Sequence, residues 1–393
     1  MRILKILPSF SALTGGPAKS VAALAKGLAS AGHEVRLLTT LWPEDHYFPE
    51  CGTRQMVDGY EVRIFPHENG FAGRSLPDSP ALLYALYFLS KSADITICHS
   101  LWNPIATFSM QSLRENKIPY AVMAHGMLDP LVLRKRRWKK LPWSILWEKK
   151  NVEDATLVLF NSEAERSKAQ LCKWRLNETF VIPHLIDLPH WAVLPPRETF
   201  QQSLPQIQGR DVILYVGRLN WVKNLDKLVD ALKLVRRKRP TALLLFVGPD
   251  SDGERKRLES RARALGLTDH VFFTGLLQGE DLKAAYACAN LLALVSKKEN
   301  FGLTVADALA AGLPVVVSDG VDVAAGWKST GPVRRVKPEP ENISEAIVDL
   351  LERGEKYGLP DAEARSLAEL EWGKTRIAEL IDKYEQTLRV RNL

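Results

Sequence analysis

Short apolar runs of β type alternate with longer stretches of helical periodicity along the whole chain. Residues 2–7 are apolar apart from Arg2 and Lys5, residues 18–30 repeat apolar positions at helical spacing, and residues 34–39 return to a strand pattern. This β-α-β order predicts a parallel sheet covered on both faces. Further first-half strands are expected at 95–98, 120–124 and 156–160, each ending in a polar or glycine-containing turn, where such sheets place their ligand groups. The pattern weakens between Pro183 and Gln208, a stretch with five prolines. It restarts with strands at 211–216, 243–247, 271–274, 291–295 and 314–318, separated by helical segments beginning at Asn224, Glu254 and Asp281 and after Gly302.

A chain of 393 residues exceeds the usual size of one hydrophobic core. The expected fold is α/β, with two Rossmann-like doubly wound domains facing across a cleft. Residues 1–190 form the first domain, 191–210 the linker, 211–370 the second domain, and 371–393 a helix packing back on the first. The start reads as a strand running into a Gly-Gly turn rather than as a signal peptide. Cys51, Cys98, Cys172 and Cys288 are too widely spaced for a zinc site and suit reduced thiols. The longest apolar run, 81–89, is too short to cross a bilayer. A cytoplasmic protein is expected, with any membrane contact peripheral and on the inner face of the cytoplasmic membrane.

Charge sharpens this picture. The net charge of +7 comes from one stretch, 134–150, which holds eight Lys or Arg against the single Glu148; outside it the charges balance. Arg134, Lys135, Arg136, Arg137, Lys139 and Lys140 surround Trp138, with Trp143 and Trp147 following. Trp among cations suits an anionic membrane surface or a lipid-linked acceptor. A plain solvated face comes second and nucleic acid, for which no accompanying module is present, third. Trp143 and Trp147, four apart after Pro142, also fit inward packing.

The densest chemistry lies in residues 299–314, ENFGLTVADALAAGLP. Gly302 permits a tight strand-to-helix turn, and the amides of Phe301, Gly302 and Leu303 then sit at a helix N-terminus, where a phosphate is favoured. Glu299 before the turn can accept hydrogen bonds from sugar hydroxyls, and Asp307 on the helix can take a pair of ribose hydroxyls. Simple capping is the bland reading of the two acids. In residues 216–224, VGRLNWVKN, Arg218 and Lys223 can neutralise a departing diphosphate without a metal. Gly15 and Gly16 follow the first strand and open a helix, a weak signal alone. His125 lies in A-H-G-M-L-D-P at the end of another strand. Asn161-Ser162-Glu163 is explained by helix capping.

The acid, the F-G pair, the second acid eight positions on and the Ala308, Ala310, Gly312, Pro314, Val315 series resemble glycosyltransferase family 4. The departure is Asp307, where the family commonly has Glu. The resemblance implies a retaining GT-B hexosyltransferase using a nucleoside diphosphate sugar and no metal cofactor. Arg218 and Lys223 would bind the donor's phosphates, Gly15 and Gly16 would lie against the diphosphate and acceptor, and His125 would face the transferred sugar. The H-G-M-L-D-P run is similar to members that assemble exopolysaccharide and capsule, which implies a lipid-linked glycan acceptor. A GT-B phosphorylase and a non-catalytic scaffold are the alternatives.

Overall fold

A computed structural model describes residues 1–10, 16–40, 53–66, 79–134, 137–250 and 253–389. The chain divides into two compact units, one formed by Met1–Leu185 with Lys374–Leu393 and the other by Ile186–Gly373.

The first unit is built on strands β1 (Arg2–Leu7), β2 (Glu34–Thr40), β3 (Arg54–Val57), β4 (Tyr60–Phe65), β5 (Ile95–His99), β6 (Tyr120–Met123), β7 (Leu157–Phe160) and β8 (Glu178–Val181). They lie in the order β3-β4-β2-β1-β5-β6-β7-β8, parallel except for β3 against β4. The chain leaves β1 toward β2 and returns to its other side as β5, so the sheet reverses direction at the β1/β5 boundary. Side chains alternate across the sheet. Ile3 and Leu7 meet Ala18, Val21, Leu24 and Leu28 of the helix Gly16–Ser30, while Leu4 and Ile6 pack in a separate core with Leu82, Leu86, Ile105 and Met110. The final helix, Lys374–Arg389, belongs to this unit, with Lys383 over the ring of Phe180 and Ile381 against the first core.

The second unit carries β9 (Val212–Val216), β10 (Leu243–Val247), β11 (Val271–Gly275), β12 (Leu291–Leu294), β13 (Val315–Ser318) and β14 (Val333–Val336), all parallel, in the order β11-β10-β9-β12-β13-β14. Its inner strands β9, β10, β12 and β13 are almost wholly buried while the edge strands β11 and β14 are half-buried, and the helix Leu225–Val235 presents Leu225, Leu228, Val229 and Leu232 to the core.

The stretch read as a linker, 191–210, is instead part of the second unit. It forms the end of the helix Leu188–Ala192, the helix Arg197–Ser203 and the turn Pro205–Ile207, and it buries Trp191, Phe200 and Ile207 in that core. Pro189 and Pro205 stand in the first turn of two of these short elements, at positions where a helix needs no N–H. The passage between units comes earlier, at Leu185 and Ile186, and the return at Gly373 and Lys374.

Candidate active site

In the second unit, the turns leaving β9 and β10 touch backbone to backbone. A Cβ at Gly248 would lie 2.0 Å from the carbonyl oxygen of Gly217, so only glycine fits. The loop after Gly217 is then pinned in three places. Leu219 N–H donates to Pro249 at 2.9 Å, the Asn220 side chain accepts from Val222 N–H at 3.1 Å, and Asn224 Nδ2 donates to the Val295 carbonyl at 3.0 Å. Lys297 N–H closes the loop onto Val222 at 2.8 Å. The outcome is an exposed Arg218 and a mostly buried Lys223 whose ammonium forms an ion pair with Glu299. Residues 76 positions apart are thereby brought into contact.

Glu299 is held by its own backbone. Its N–H donates to Gly320 at 2.8 Å and its carbonyl accepts from Asp322 N–H at 2.9 Å. Gly302 follows with a left-handed φ of 82° and caps the helix Leu303–Ala310. A Cβ there would press within 3.1 Å of Val321 and 3.3 Å of Leu294. Phe301 points inward, edge-on to Trp372, while Leu303 starts the helix half-exposed. A cation, a carboxylate and a helix N-terminus thus share one edge of the second sheet, beyond the ends of β9 and β12, where open α/β sheets bind ligands.

Asp307 stands apart from this pair. It is 2% exposed, and one carboxylate oxygen accepts the indole N–H of Trp191 at 3.0 Å; that indole also lies edge-on against Tyr286, with ring centroids 4.7 Å apart. Sequence reasoning missed Trp191 because the segment that carries it shows no periodicity.

In the first unit, Gly16 begins the helix Gly16–Ser30, and Gly15 lies outside the described residues. His125 follows β6 with a left-handed φ of 49°. Its turn is locked by the buried Glu165, which receives the amides of Gly126 and Asn161, while Ser162 caps the helix that carries Glu165. His125 is not a lone histidine. Its Nε2 lies 3.1 Å from His99 Nδ1, and its ring stacks on His184 at 5.7 Å. Lys5 of β1 is buried on the same side of the sheet. Burial, then the charge of Lys5, pushes His125 down to about 3; His99 and His184 are also held well below their ordinary value, chiefly by burial. Burial alone lowers Lys5 to about 7. His99 and His184 went unremarked in the sequence. Lys5 was visible there only as an interruption of an apolar run. Among the described residues, no group of three or more His, Cys, Asp or Glu could hold a metal ion.

The basic stretch forms the helices Pro130–Arg134 and Arg137–Trp143, a π turn at Ser144–Glu148 and the helix Lys149–Glu153; Lys135 and Arg136 lie outside the described residues. Trp143 and Trp147 pack inward on Phe108, and Trp143 donates to Thr107 at 3.1 Å. Lys140 also turns back, donating to the Val132 carbonyl and lying 5.3 Å over the Trp102 ring. The outward face carries Trp138, 74% exposed, with Leu131, Leu141, Ile145 and Leu146 among Arg134, Arg137, Lys139, Lys149 and Lys150. No described helix is long and apolar enough to cross a membrane.

Two family models match the chain in succession: Glycosyltransferase Family 4 over residues 14–189 and Glycosyl transferases group 1 over residues 196–366. A mannosylfructose-phosphate synthase of Agrobacterium fabrum is 28% identical over 347 residues, covering 79% of this chain and 72% of that protein. Among solved structures, HepE of Anabaena in complex with UDP and glucose superposes with a TM-score of 0.74 at 20% identity, over 98% of this chain and all of that one. The sucrose-phosphate synthase of Thermosynechococcus elongatus also gives 0.74 at 20% identity, over the whole of both chains. These likenesses establish the GT-B fold.

Proposed function

Because this chain belongs to the GT-B glycosyltransferases of family 4, we propose that it moves a sugar from a nucleoside diphosphate sugar to a hydroxyl of a glycan acceptor, with retention at the anomeric carbon. The observation that carries the reading is the contact of Lys223 with Glu299 beside the Gly302 turn. The ammonium and the exposed guanidinium of Arg218 are suited to the diphosphate, together with the amides after Phe301. The Glu299 carboxylate is suited to the sugar's hydroxyls. The lysine and glutamate neutralise each other, and a bound donor would replace that contact with one partner for each.

In the transfer, the bond between the anomeric carbon and the diphosphate oxygen breaks while the acceptor oxygen bonds to the same face of that carbon. Because the acceptor enters on the leaving-group face no protein nucleophile is required, and because its proton leaves with the diphosphate no protein base is required either. His125, neutral because it is buried beside Lys5, is suited to hydrogen-bonding the sugar rather than to offering it a charge. The HepE complex with UDP and glucose favours a uridine donor. The outward apolar and cationic face of residues 131–150 supports docking on an anionic lipid surface, and with it a lipid-linked acceptor in cell-surface polysaccharide synthesis at the inner face of the cytoplasmic membrane.

Thermal stabilisation by UDP, GDP and ADP tests the donor reading. One nucleotide should raise the melting temperature, and Arg218→Ala and Lys223→Ala should each remove most of that rise. Glu299→Ala should abolish turnover with a folded protein remaining. A folded sample that none of the three nucleotides stabilises would refute the donor reading.

A further inference from the structure

The first unit holds a group of nitrogen atoms that its own fold leaves unanswered. Lys5 is completely buried in β1, and among the described residues its side-chain nitrogen has no hydrogen-bond partner; nor have Nε2 of His99 and Nδ1 of His125. Register brings them together. Lys5 is paired with Ile97, so it stands on the same face of the sheet as His99, two positions further along β5 and one layer nearer the carboxyl ends of the strands. His99 is in turn opposite Met123, just before the turn that presents His125. These are the strands at which the sheet reverses direction, the place where open α/β sheets receive ligands.

Among the described residues, no carboxylate answers this cluster. Lys5 is perturbed by burial alone, and the charges felt by His99 are those of Lys5, His125 and His184. From the other elements on this face, the helix Gly16–Ser30 contributes Ser20, Val21 and Leu24 beside His99 and His184, and β2 contributes Leu37 and Thr39, none of them charged. A buried ammonium with no counter-charge is costly, and a hydrophobic side chain would serve packing better. Its presence one layer beneath the ligand-binding edge points to a counter-charge that arrives with a ligand.

We propose that Lys5, His99 and His125 form an anion subsite of the first unit, in which a phosphate group arriving at the strand ends draws a proton onto the cluster and takes the resulting charge as its counter-ion. Lys5 acts from beneath the imidazoles, through the field rather than by touching the ligand. The phosphate belongs either to the acceptor or to the donor's diphosphate. The inference goes beyond the nucleotide-sugar reading and borrows from it only one of the two probes.

The test is isothermal titration of the full-length protein with UDP and, separately, with inorganic phosphate, in buffers of differing ionisation enthalpy. At about pH 8, above the value of about 7 to which burial lowers Lys5, binding should take up a proton; at about pH 6, below that value, the uptake should fall several-fold. Lys5→Met should bind with the uptake lost, and Lys5→Gln should behave alike, so that a folding defect in one does not decide the matter. Uptake with inorganic phosphate that persists in Arg218→Ala assigns the subsite to an acceptor phosphate. Uptake with UDP alone, lost in that variant, assigns it to the donor. If no nucleotide binds, the donor reading fails while the phosphate arm still stands. Absence of proton uptake with either probe, or uptake unchanged in both Lys5 variants, overturns the subsite.

Discussion

Replacing Glu148 by Gln should stabilise the first unit, and more so as the pH rises. The carboxyl is fully buried, accepts the Trp102 amide at 2.6 Å and the Thr107 hydroxyl at 2.7 Å, and has no cation paired with it among the described residues. Burial therefore pushes it up to about 7 from 4.5. Between those values the folded chain keeps a proton that the unfolded chain has released. Stability accordingly falls as pH rises through this window and is level above it. The window corresponds to roughly 3 kcal/mol. Gln does not titrate. Its carbonyl can take the Trp102 amide and its NH2 group can donate to the Thr107 oxygen, so both contacts survive. Thermal melts at about pH 5 and about pH 8 read the difference. The variant should melt close to the parent at the lower pH and about 5–10 °C above it at the higher. An equal gap at both pH values would mean that ionising Glu148 costs the fold nothing, and the reasoning from its burial would be wrong.

Asp307→Asn keeps an oxygen for the Trp191 indole and should leave the melting temperature nearly unchanged, whereas Asp307→Ala should cost about 1–3 kcal/mol by stranding a buried N–H. Nucleotide titration of the Asn variant then separates the two roles of this acid, since weakened binding at unchanged stability would mean that its charge also serves the ribose. Binding to vesicles containing anionic lipid should be lost progressively with salt and reduced several-fold by Trp138→Ala together with Ile145→Ser. Co-sedimentation measures this, and binding indifferent to salt and to both substitutions would exclude this face as the docking surface.

Most of the strands legible in the sequence are buried on both faces, the half-buried edge strand β11 being the exception through its Val271, Phe272 and Phe273. Strands β1, β9, β10 and β12 are continuous apolar runs or nearly so, and their positions follow from that alone. The strands that escaped notice are β3, β4, β8 and β14. Three of these are sheet edges, where RQMV, ETFV and VRRV alternate or mix polar residues as an unpaired edge favours. The stretch around Trp191 was misread for another reason: its buried residues are single anchors in one-turn elements, too sparse for a period to register. The same contrast divides the candidate site. Glu299, Phe301 and Gly302 are neighbours in sequence, so their chemistry is readable as a motif. The group of Lys5, His99 and His125 exists only because strand order sets β1 beside β5 and β5 beside β6. No spacing along the chain encodes that adjacency.

The return of the last helix to the first unit has a consequence for synthesis. The polypeptide emerges from its N-terminus, so the sheet of the first unit is complete well before the helix Lys374–Arg389 is made, and the whole second unit is translated in between. The unit that starts first is therefore finished last. During translation the surface around Phe180 waits without its covering segment, and a ribosome that stops just short of Lys374 releases a chain with an intact second unit and a first unit still open on that side.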